Sequence, residues 1–155
     1  AEENPRAAIG ELSDEEAVKR LNATLAYAKA LPAANGKAAT VGFCWGGRMS
    51  FHYAIAQPEL SAAVVYYGPS PETSTLAGIT VPVLGLYAED DARVNTTIPP
   101  AAEEMKRLEK SFEKEIYAGA GHGFLRQQDG RDGANKKASD QAWPRTLAFL
   151  REHMK

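Results

Sequence analysis

Three kinds of reactive side chain occur in one order along this 155-residue sequence: a thiol, a cluster of carboxylates, then an imidazole. The thiol is Cys44, the single cysteine, within Gly42-Phe43-Cys44-Trp45-Gly46-Gly47. An apolar, strand-forming run from Ala38 to Phe43 leads into it, and a helix-permissive segment from Arg48 to Gln57 leads out. A nucleophile on so sharp a strand-to-helix turn is held in a strained backbone conformation, and glycines at 42 and 46 are expected to let neighbouring segments pass close by. The unpaired N–H groups and the dipole of a helix N-terminus are expected to favour thiolate over thiol. A lone cysteine is most often a small buried hydrophobe; the glycine-flanked strand–helix setting singles this one out. The carboxylates are Glu89, Asp90 and Asp91, beyond a buried-strand pattern over Val81–Tyr87. The imidazole is His122, between Gly121 and Gly123, beyond the alternating segment Phe112–Tyr117.

Nucleophile, acid and histidine, each at the end of a successive strand, follow the chain order of an α/β-hydrolase. The chain resembles the dienelactone hydrolase family of that superfamily, from its N-terminal helix to its last residue. The motifs that carry the resemblance are Gly-Phe-Cys-Trp-Gly-Gly at 42–47, Asp91-Ala92-Arg93-Val94, and Gly121-His122-Gly123-Phe124 followed by Arg126. The resemblance implies a Cys44–His122–Asp91 triad, because the family's aspartate stands three residues before a valine. Glu89 and Asp90 are then left as solvated loop residues. It also implies that Arg126 faces a substrate carboxylate and that Tyr66 and Tyr67 lie beside the pocket. Neither a metal nor another cofactor is expected: Cys44 and the histidines, His52, His122 and His153, lack ligand spacing.

The chemistry expected of such residues is hydrolysis of a small, carboxylate-bearing ester or lactone. Cys44 would attack the carbonyl and form a thioacyl intermediate. His122 would move protons while Asp91 holds its tautomer. The backbone N–H of Trp45 would supply one oxyanion donor, and a loop after an earlier strand the second. Two rivals remain: a thiol-based redox or ligand-binding protein that keeps the turn without turnover, and a non-catalytic fragment awaiting a partner.

The positioning elements read as strands near 38–43, 62–67, 81–87 and 112–117, with helices near 14–31, 46–57, 99–110 and 139–153. Ser13 and Glu16 form a capping-box pattern ahead of Ala17, Val18, Leu21, Leu25, Ala28 and Leu31 at helical spacing. Residues 1–12 are too short and irregular to supply strands, so the fold expected is the carboxyl-terminal part of an α/β-hydrolase domain, its N-terminal strands absent. Ala38–Phe43 would then be an edge strand that is nearly all apolar and lacks protective charge. The final helix is expected to turn Trp143, Leu147 and Leu150 inward. A missing segment or a second chain is expected to complete the sheet.

Composition bounds the remaining possibilities. The formal charge of −2 and pI near 6.0 give no electrostatic footprint for nucleic acid. No apolar run approaches the roughly 20 residues needed to cross a bilayer, so no membrane partner is expected. One cysteine allows no internal disulfide, and a persistent free thiol favours a reducing compartment such as the cytoplasm.

Overall fold

Every strand read from the sequence is followed by a long connection, helical after three of them, rather than a two-residue turn, which is the pattern of parallel pairing. The computed structural model describes residues 4–155. Four strands, β1 (Ala39–Phe43), β2 (Ala62–Tyr66), β3 (Val83–Asp90) and β4 (Phe112–Gly121), form one parallel sheet in the order β1-β2-β3-β4. The helices are α1 (Pro5–Glu11), α2 (Asp14–Ala30), α3 (Trp45–Ala56), α4 (Ala92–Asn95), α5 (Ile98–Arg107) and α6 (Ala134–His153).

Residues 1–36 form one compact unit and residues 37–155 another. In the first, α1 and α2 are helical, so the irregular opening of the chain contains a helix from Pro5; residues 1–3 lie outside the described residues. Only half of the expected capping box is made. Ser13 Oγ accepts the Glu16 N–H at 3.2 Å, whereas the Glu16 carboxylate pairs with Arg20 Nε at 2.8 Å instead of reaching back.

In the second unit, strand alternation divides the core between two faces. Val64, Tyr66, Leu84 and Leu86 share a cluster with Ala138, Ala142 and Phe149 of α6. Ala63, Val65, Val83 and Tyr87 alternate to the other face and are fully buried. Helix α3 packs along β1 and β2, and α5 against β4. A tilted ring contact between Phe51 and Phe112, centroids 5.2 Å apart, ties α3 to β4.

The phase of α6 differs from the sequence expectation. Its inner face is Ala138, Ser139, Ala142, Thr146 and Phe149, while Trp143 and Leu147 are 47% and 37% exposed. Leu150 alone of the expected trio packs against the core cluster. Phe149 is the one large side chain on this inner face; Trp143 and Leu147 lie on the adjacent stripe. Val41 and Phe43 are paired in register with Val64 and Tyr66 and therefore share the α6 face. They are nevertheless 37% and 42% exposed, because β1 forms the sheet edge.

Candidate active site

In a parallel sheet all strands end on one side, so residues following β1, β3 and β4 are brought to a common edge. Cys44 follows β1 and starts the turn into α3 with φ 55 and ψ −118, a conformation strained for a non-glycine residue. The turn is packed backbone on backbone. A Cβ on Gly42 would lie 1.8 Å from the Gly46 carbonyl oxygen, and one on Gly68 would lie 2.3 Å from the Arg48 nitrogen. Gly46, expected to need its missing side chain as much as Gly42, would place a Cβ in open space. Only its carbonyl takes part in the close approach. Trp45 opens α3, so its N–H has no acceptor within the helix.

Of the three clustered acids, Asp91 is the one that meets His122. Its Oδ2 lies 2.5 Å from His122 Nδ1. Asp91 occupies the N-cap position of α4, where an aspartate usually accepts from the helix's own first N–H groups. Its side chain makes no such bond and is directed to the imidazole instead. The Asp91 side chain is 8% exposed and that of His122 37%, a buried anchor beneath an accessible ring. An ionised carboxylate only accepts, so the tautomer that makes this bond is the one with hydrogen on Nδ1. Glu89 and Asp90 are not merely solvated. Glu89 Oε2 accepts the Gly119 N–H at 2.8 Å, and Asp90 forms an ion pair with Arg131.

Tyr67 joins the histidine to the turn. It is buried, has φ 39, and meets the His122 ring edge-on at 5.2 Å between centroids. Burial pushes its phenol far above the ordinary tyrosine range, and the neighbouring Cys44 pushes the same way. Tyr66, expected beside the pocket with Tyr67, is instead a core residue. It is fully buried, and its hydroxyl lies 2.6 Å from Thr146 Oγ1 and 3.2 Å from the Ala142 carbonyl. β2 ends between the two tyrosines: Tyr66, its last residue, follows the strand's alternation onto the α6 face, while Tyr67 turns off the strand at φ 39.

Arg126 is exposed, and its positive charge favours ionisation of both Cys44 and Tyr67. Arg93, two residues beyond Asp91, acts on Cys44 in the same direction; sequence reasoning quoted it only as part of a motif. Against the expected thiolate, burial, reinforced by the Asp91 charge, pushes the Cys44 thiol above its ordinary value despite both arginines. Alkylation of Cys44 by iodoacetamide is therefore expected to accelerate with pH through a midpoint above that of the urea-unfolded chain. An equal or lower midpoint would contradict this burial effect.

The same sign applies to stability. Cys44, Tyr66, Tyr67, Tyr87 and Tyr117 all hold their protons more tightly when folded. The native state thus binds more protons than the unfolded one above the unfolded values of about 8.5 for cysteine and about 10 for tyrosine. Their contribution is complete below those values and declines as pH rises. Urea midpoints measured from pH 8 upward are expected to fall as the tyrosine range is entered.

The sequence profile of the dienelactone hydrolase family matches residues 2–154. The chain belongs to the dienelactone hydrolase family. A relative from Saccharolobus solfataricus, named "Putative carboxymethylenebutenolidase", is 36% identical over 116 residues, covering 74% of this chain and 44% of its own. A Bradyrhizobium relative, named "Probable 2-oxo-3-(5-oxofuran-2-ylidene)propanoate lactonase", is 28% identical over 95% of this chain and 63% of its own. The crystal structure of a Klebsiella pneumoniae protein described as a putative dienelactone hydrolase superposes with a TM-score of 0.81 at 27% identity. That match covers 92% of this chain and 63% of the other. The chain spans about half the length of the curated relatives it matches. Among the described residues, no cluster of His, Cys, Asp and Glu could hold a metal ion, and no helix is long and apolar enough to cross a membrane.

Proposed function

We propose that this chain carries the nucleophile, acid and base of an ester or lactone hydrolase. The observation that supports the reading most strongly is the His122 Nδ1–Asp91 Oδ2 contact of 2.5 Å, at the sheet edge where Cys44 stands on its strained turn. His122 Nε2 accepts the Cys44 proton as the sulfur bonds to the carbonyl carbon, and the C=O electron pair becomes an oxyanion facing the Trp45 N–H. Collapse expels the alkoxide, which takes the proton from His122 and leaves a thioester. Water then attacks the thioester, His122 accepts its proton, and the sulfur departs with that proton restored. The charges of Arg126 and Arg93 beside Cys44 favour a substrate bearing a carboxylate.

The sheet is proposed to be completed by an upstream polypeptide or a second chain. Supporting this are the open edge of β1, the exposure of Val41, Phe43, Trp143 and Leu147, and the greater length of the relatives. That added part would supply the second oxyanion donor.

Exposure to a p-nitrophenyl ester, followed by intact-mass measurement, tests the proposal. The chain, alone or joined with the completing polypeptide, is expected to release nitrophenol and to gain one acyl mass at Cys44. Reversible oxidation of Cys44 with no acylation in either form would favour the redox reading.

A further inference from the structure

The segment that carries His122 begins where the β-ladder becomes irregular. Tyr117 pairs with Ala88 and Gly121 with Asp90, so a two-residue step on β3 faces a four-residue step on β4. Within that bulge the ladder does not by itself dictate how far His122 stands above Asp91. Side chains take over as acceptors. Glu89 Oε2 takes the Gly119 N–H, and Asn135 Oδ1 takes the N–H of Gly121, the residue directly before the histidine, at 2.8 Å.

Asn135 does more than this. It lies in the first turn of α6, is 2% exposed, and donates from Nδ2 to the Gln127 carbonyl at 2.7 Å. A single buried amide thus bonds both ends of the turn from Gly121 to Gln127, which contains His122 and Arg126. Inside that turn, the N–H groups of Arg126 and Gln127 donate to the Gly123 carbonyl at 2.9 and 3.1 Å. Ser139, one helical turn beyond Asn135, lies with its Oγ 2.8 Å from the Asn135 carbonyl and 3.2 Å from that of Phe124.

We propose that Asn135 is a positioning residue: its side-chain amide, acting as acceptor at Gly121 and donor at Gln127, holds His122 at the height where Nδ1 meets Asp91. The proposal rests on His122 being the base of the hydrolase described above. It predicts an effect on the histidine before any effect on turnover. The short Nδ1–H bond to a carboxylate gives a far-downfield proton resonance, assignable by its loss in His122→Ala.

Asn135→Ala is expected to abolish or broaden that resonance. With an aryl ester it is expected to lower kcat by about 10–100-fold with little change in KM, as for a misplaced catalytic group. Asn135→Asp keeps an acceptor for Gly121 but loses the donor to Gln127, and an intermediate loss is expected; it carries the test if the alanine variant does not fold. Thr146→Val, equally buried on α6 but bonded to Tyr66, should lower stability and leave the resonance in place. Retention of the parent resonance in both Asn135 variants overturns the proposal, as does its equal loss in Thr146→Val. A parent chain that shows the resonance but hydrolyses nothing contradicts the hydrolase reading alone, and the Asn135 variants are then judged by the resonance.

Discussion

Alanine at His122 is expected to lower ester hydrolysis by about 10²–10⁴-fold in kcat, the usual contribution of a positioned general base. Burial pushes the Cys44 thiol up, so in the proposed mechanism attack needs a group that removes its proton, the role proposed for His122. Asp91→Asn tests the same arrangement differently. It preserves size and hydrogen-bonding reach but can donate to Nδ1, which would move the hydrogen to Nε2 and occupy the basic nitrogen. Its rate should therefore fall nearly as far as that of His122→Ala. The double variant should be little worse than either single one, since residues that act as a unit are not additive. The measurement is kcat for an aryl ester, normalised to the concentration of folded protein. A His122→Ala variant within about twofold of the parent would remove His122 from the mechanism, because general-base removal has a far larger effect.

Gly42→Ala is expected to be the most damaging single methyl addition in the turn. The new Cβ would fall 1.8 Å from the Gly46 carbonyl oxygen and 2.8 Å from the Gly47 nitrogen. Both are backbone atoms held by α3, so neither can swing aside as a flexible side chain would. Overpacking costs about 1–3 kcal/mol where side chains can adjust; a backbone obstacle places this substitution at or beyond the upper end. Gly46→Ala provides the contrast. Its Cβ meets nothing, and alanine is favoured over glycine in a helix by about 1 kcal/mol. Urea denaturation should therefore move the two midpoints in opposite directions. A Gly42→Ala midpoint equal to that of the parent would mean the turn is not packed as described.

The alternating phase and turn chemistry of the sequence were enough to identify four parallel strands, the strained turn at Cys44, and acid and imidazole segments at successive strand ends. These are local properties: a strand's period, a glycine's missing Cβ and the sequence order of a right-handed crossover survive without knowledge of distant neighbours. Residues whose role depends on a partner far along the chain were less legible. Nothing near Asn135 in sequence marks it as the acceptor for Gly121, 14 residues away, and nothing in Tyr66 announces Thr146, 80 residues on. The orientation of α6 was misread for a related reason. A helix with two apolar stripes can present either, and the one the sheet buries carries Ala138, Ala142 and Phe149, whose partners lie far along the chain. Charge state was decided the same way: sequence places Cys44 at a helix N-terminus, but only the folded surroundings show that loss of water outweighs two nearby arginines. Sequence alone thus determined which reactive groups are brought to one edge of the sheet. Tertiary structure decided which tyrosine stands beside the imidazole, what Glu89 and Asp90 bond to, and which amide spans the histidine turn, because each depends on distances that neighbours in sequence do not encode.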